Sequence, residues 1–103
     1  MKITLTLSRE QAEVLAKATF IERPLFNNRE QRVYYSLMRE ITVKTTRFYM
    51  GFLTDKKRKL SFKLHEADML EKYLGYALTI FSYSIYERST LLGIIDEINQ
   101  QLA

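Results

Sequence analysis

The chain contains no cysteine and no tryptophan, one proline, one histidine and three glycines among its 103 residues. Without cysteine there are no disulfides, no thiolate nucleophile and no thiolate metal site, a composition that suits a reducing interior. His65 alone, with no second His or Cys, builds no conventional zinc site, so no metal and no cofactor is predicted. With so little Pro and Gly and 47% hydrophobic residues the chain is expected to fold rather than stay disordered, and no glycine-rich phosphate loop or serine nucleophile motif is present. The chain opens on no apolar signal-like run. The longest charge-free stretch, Tyr73 to Tyr86, is 14 residues, short of the roughly 20 needed to cross a bilayer. A soluble, cytoplasmic, non-enzymatic protein without membrane contact is expected.

What is present is apolar and unevenly charged. Hydrophobic residues make up 47%, with seven Tyr and six Phe, enough for one modest core, so residues 1–103 are expected to form a single domain. The net charge of +4 divides into +1 over residues 1–28, +6 over 29–59 and −3 over 60–103. A basic middle fits a phosphate-bearing partner, or an acidic tail packed against it within the fold or across a dimer.

Periodicity supplies the elements. Lys2 to Leu7 alternates, with Ile3, Leu5 and Leu7 on one side and Lys2, Thr4 and Thr6 on the other, which predicts a half-buried strand. Ser8 to Gln11 is a capping box that opens a helix from about Arg9 to Glu22, which Pro24 ends. A second box starts at Asn28, and Val33, Tyr34, Leu37, Met38 and Ile41 recur at helical spacing. Residues 42–53 fit two patterns. Ile41, Thr45, Phe48 and Phe52 continue the helical stripe, while Phe48, Met50 and Phe52 alternate as a strand that would face Leu64, Phe62 and Leu60 across a loop at Lys56. Leu60, Phe62 and Leu64 alternate with Lys59, Ser61 and Lys63. From His65 onward Leu70, Leu74, Ala77, Phe81, Ser84, Arg88, Leu91, Ile95, Ile98 and Leu102 follow a heptad seam. That seam is either one long helix or two meeting near Glu87 to Ser89. His65 is read as a helix-start residue, and Glu66, Asp68 and Glu71 as favourable charge on that helix's N-terminus.

The expected fold is α+β and mostly helical, with two or three short antiparallel strands packed against three or four helices. Residues 2–54 and 59–103 both read strand, helix, helix, which fits either an internal pseudo-repeat or the grammar shared by any strand that enters a helix. The two strands need partners, within the chain or between chains.

Side by side, the polar faces Lys2, Thr4, Thr6 and Lys59, Ser61, Lys63 would form a ribbon of cations and hydroxyls suited to phosphates and base edges. "KITLTLS" followed by a helix, a turn and a second helix near Asn28 resembles the ribbon-helix-helix family of DNA-binding repressors over residues 2–43. That resemblance implies that Lys2, Thr4 and Thr6 read bases, and that Asn28 and Arg29 anchor a phosphate. "RPLFNN" stands where the family commonly has a short glycine-containing turn, and this chain supplies two strands where the family pairs strands across a dimer. Lys56, Lys57, Arg58 and Lys59 add counterion-release affinity to a nucleic-acid surface.

Two other readings stand beside it. The leading one is a small homo-oligomeric interaction protein, an inhibitor or adaptor of mobile-element origin, that uses Leu70, Leu74, Tyr76, Phe81, Tyr83, Tyr86, Leu91, Ile95 and Ile98 as interface. The other is a binder of a small anionic ligand such as a nucleotide at a subunit interface, through Arg32, Tyr35, Arg39 and Arg47.

Overall fold

A computed structural model describes residues 2–20, 29–54 and 56–103. The order is β1 (Lys2–Leu7), α1 (Arg9–Thr19), α2 (Arg29–Met50), β2 (Arg58–Lys63), α3 (Leu64–Ile80) and α4 (Ile85–Leu102), an α+β and mostly helical fold. None of these helices is long and apolar enough to cross a membrane.

β1 and β2 pair with each other, antiparallel, in one two-stranded sheet. Thr4 faces Ser61, with Lys2 opposite Lys63 and Thr6 opposite Lys59. Because side chains alternate along a strand, Ile3, Leu5, Leu7, Leu60 and Phe62 all point to one face, where they are buried under the helices. The register is symmetric about Thr4 and Ser61, which stand 57 residues apart. The same offset carries Lys2 onto Lys59 and Thr6 onto Lys63. Each half runs strand, helix, helix, with α1 packed on α2 and on α4, and α3 packed on α4 and on α2.

Ser8 caps α1 as its sequence predicts: its hydroxyl accepts from the Gln11 N–H and the Gln11 amide oxygen accepts from the Ser8 N–H. The helix ends at Thr19 rather than Glu22, because Phe20 already takes an extended backbone. Pro24, Glu22 and the second capping box at Asn28 lie outside the described residues.

The strand alternative for residues 42–53 is overturned. α2 continues to Met50, burying Met38, Ile41, Thr45, Phe48 and, just beyond its end, Phe52 as one stripe, while Met50 is 75% exposed. β-Branched residues are tolerated there because their hydroxyls find partners. Thr42 donates to the Thr19 and Met38 carbonyls, and the Thr45 and Thr19 hydroxyls lie 2.8 Å apart in the core.

The heptad seam is two helices, and they part before the expected Glu87 to Ser89. Ser84 is not a polar layer but the N-cap of α4: its hydroxyl accepts from the Glu87 N–H, and Glu87 accepts from the Ser84 N–H. Leu64 joins the first turn of α3 instead of extending β2, and His65 is exposed in that same turn.

Candidate nucleic-acid interface

The six side chains with the clearest polar pattern come together on the sheet face opposite the core. Lys2, Thr6, Lys59 and Lys63 are exposed, and Thr4 and Ser61 are half-buried between them with their hydroxyls 3.0 Å apart. This middle pair ties the two strands together across the ribbon's polar surface. Cations stand at three of its four corners, Lys2, Lys59 and Lys63, with Thr6 at the fourth. Lys2 directly opposite Lys63 is an unfavourable neighbour pair that an anion would relieve.

The edges of the sheet are finished differently. In an antiparallel pair, residues that do not exchange hydrogen bonds turn their backbone groups outward. Thr4 is one of these: its N–H donates to the Gln101 Oε1 at 2.9 Å and its carbonyl accepts from the Gln101 Nε2 at 2.8 Å. One side chain of α4 therefore takes the place of a third strand. At the end of β2 the Lys63 N–H donates to Glu66 at 2.8 Å. Burial alone would raise the Glu66 carboxyl, but that N–H and the Lys44 ammonium, 3.3 Å away, together hold it below the usual carboxylate range. Lys44 also lies 4.9 Å from the centre of the Phe62 ring.

Lys56 and Lys57 are exposed next to the ribbon, but Arg58 is engaged. Its guanidinium sits 5.1 Å and 5.3 Å from the Phe48 and Phe52 ring centres, which meet edge-on at 5.2 Å. Gly51 makes room for it: a Cβ there would stand 2.9 Å from a guanidinium nitrogen. Of the phosphate anchor implied for the second helix, Arg29 is exposed at the start of α2, and Asn28 lies outside the described residues.

The interface candidates of the two last helices separate. Leu70, Leu74, Leu91 and Ile98 are fully buried in the chain's own core, where α3 and α4 pack against each other and the sheet, so they offer no docking surface. Ile95 and Tyr83 are half-buried, while Tyr76, Phe81 and Tyr86 are exposed. Sequence spacing missed the aromatic grouping that forms across helices. Burial and the neighbouring phenols of Tyr83, Tyr34 and Tyr76 push Tyr73 up to about 12, and burial with Tyr76 nearby raises Tyr34.

Arg32, Tyr35, Arg39 and Arg47 do not converge. Arg32 and Arg47 are separated along α2 by about 22 Å at 1.5 Å per residue, too far for one small anion. Arg39 borders a depression of about 410 Å³ with Ser36, Val43 and Glu40, whose carboxylate offsets the cation. Among the described residues no group of three or more His, Cys, Asp or Glu gathers to hold a metal ion. No protein-family model, no curated protein and no solved structure matches the chain.

Proposed function

We propose that this chain is a nucleic-acid-binding module that lays the outer face of the β1–β2 ribbon, flanked by Lys56 and Lys57, into the major groove of duplex DNA. The observation that carries this reading is the intramolecular register, which puts Lys2, Thr4 and Thr6 beside Lys63, Ser61 and Lys59 on one exposed face. A two-stranded ribbon is narrow enough for a major groove about 12 Å wide. Lysines would neutralise phosphates while the central hydroxyls, able to donate or accept, meet base edges. The resemblance of residues 2–43 to ribbon-helix-helix repressors supports the same face, with the second strand contributed by the chain itself.

The test is an electrophoretic shift with mixed-sequence duplex DNA at two salt concentrations, on protein whose mass is checked by light scattering. Binding should fall steeply with salt, and Lys59→Ala with Lys63→Ala should flatten the dependence by about 0.9 in log–log slope for each phosphate no longer neutralised. Absence of binding at low salt overturns the reading.

A second reading, an interaction protein working through its helices, is favoured by one specific surface: Tyr34, Tyr76, Ile80 and Phe81 are between 43% and 58% exposed at the α2–α3 side. Partly exposed Tyr and Phe side chains of this kind are enriched at protein interfaces. Self-association measured by light scattering, weakened by Tyr76→Ala but insensitive to salt, would support it, and a strictly monomeric chain would remove its homo-oligomeric form.

A further inference from the structure

The open edge of β1 is closed at Thr4 and left unfilled at Thr6. Thr6 faces Lys59 in a pair of the same kind as Thr4 with Ser61, so its N–H and carbonyl also turn outward toward α4. No side chain among the described residues is bonded to them. A cavity of about 340 Å³ opens at this point, lined on one side by Thr6 and Gln11 and on the other by Tyr86, Thr90, Gly93 and Glu97. These last four recur at helical spacing and form one stripe of α4.

Glu97 lies one turn before Gln101 and lines the cavity together with Thr6, without bonding to it as Gln101 bonds to Thr4. Among the described residues no ion pair engages Glu97 or Asp96, whereas Glu87 meets Lys17 at 3.4 Å and Arg88 donates to the Leu78 carbonyl. With Glu87, Asp96 and Glu97 against Arg88 alone, α4 carries a net negative charge in a positive protein. Gly93 leaves the floor open, since a Cβ built there meets no atom within 4 Å.

We infer that this cavity binds the guanidinium group of an arginine. Two acceptors, the Glu97 carboxylate and the outward Thr6 carbonyl, suit a planar fork of N–H donors, which a lysine ammonium cannot span as well. Tyr86 at the mouth supplies a ring face for the cation, and the Thr6 N–H is left to donate to a carbonyl on the same ligand. The arginine arrives either as the free amino acid or as a residue of a peptide whose backbone bonds to Thr6 alone, since Gln101 already occupies the edge at Thr4.

The experiment is an NMR titration of the 15N-labelled full chain, following the Thr6, Gly93 and Glu97 amides, with three probes: N-acetyl-arginine methylamide, free L-arginine and N-acetyl-lysine methylamide. Saturable shifts confined to this cavity are expected with the arginine methylamide, and markedly weaker binding with the lysine one. Equal binding of free L-arginine identifies a small-molecule site, whereas preference for the methylamide identifies a peptide site. Glu97→Gln should weaken binding by about tenfold or more, the loss expected for a charge-assisted bond. Gly93→Leu should block it while leaving the far-ultraviolet circular dichroism unchanged. Shifts that do not saturate, equal affinity for the lysine probe, or a Glu97→Gln chain that binds as the parent does would each overturn the proposal.

Discussion

Arg58, exposed like the lysines before it, shows how one side chain of a charge cluster can also be tied to the edge of the core. Its guanidinium covers the edge-to-face pair Phe48 and Phe52, while its neighbours Lys56 and Lys57 remain in solvent. Truncation therefore separates two roles. Arg58→Ala should lower unfolding free energy by about 1 kcal/mol, the usual magnitude for a cation on an aromatic face. Lys56→Ala with Lys57→Ala should change it by less than about 0.5 kcal/mol, as urea unfolding would show. The lysine pair is accordingly the cleaner variant for the DNA test. Tyr73 makes the second residue-scale prediction. Its folded value, pushed up to about 12 from 10.0, means that the unfolded chain ionises first as pH rises. The stabilisation it contributes is complete below pH 10, falls as pH rises from there, and is gone once pH passes the folded value. Circular dichroism from pH 9 to 12 should show alkaline destabilisation that Tyr73→Phe reduces. An unchanged profile would mean that other groups carry it.

At the scale of elements, helix ends decide what periodicity leaves open. The heptad spacing from Leu70 to Leu102 runs through a break at residues 81–84 without losing phase, so spacing alone could not reveal it. A local signal was there, because Ser-Ile-Tyr-Glu at 84–87 is a capping box of the same kind as Ser8 to Gln11. Ser84→Ala should cost about 1 kcal/mol, whereas Gly75→Ala, in an exposed turn of α3 where a Cβ meets nothing, should gain up to about 1 kcal/mol. Thermal unfolding of the two variants should therefore move in opposite directions. Strands and their polar faces were legible because alternation is a local property. The end of α2 was not, since Thr42 and Thr45, besides bonding to carbonyls of their own helix, meet Thr19 on another helix. Nor was the cover of β1, where Thr4 and Gln101 stand 97 residues apart. The Thr6 cavity depends on that same long-range placement, so no sequence pattern announced it.

For the whole molecule the decisive fact is that each half holds what the other lacks. Among the described residues β1 has its ladder partner in β2 and its edge cap in α4, and α1 packs on helices of both halves. A chain cut after residue 54 would expose Ile3, Leu5 and Leu7 on an unpaired strand, together with the α1 surface that faces α3 and α4. An isolated strand with one apolar face does not hold its structure in water. Residues 1–54 and 55–103, made separately, should each lack a cooperative unfolding transition, and mixing them should restore one. The same logic governs the proposed DNA binding. Because one chain completes the ribbon, DNA-binding capacity should travel with the reconstituted pair and be absent from either half, even though Lys2, Thr4 and Thr6 lie in one and Lys59, Ser61 and Lys63 in the other. A half that binds duplex DNA with the full chain's salt dependence would show that the paired face is not what does the binding.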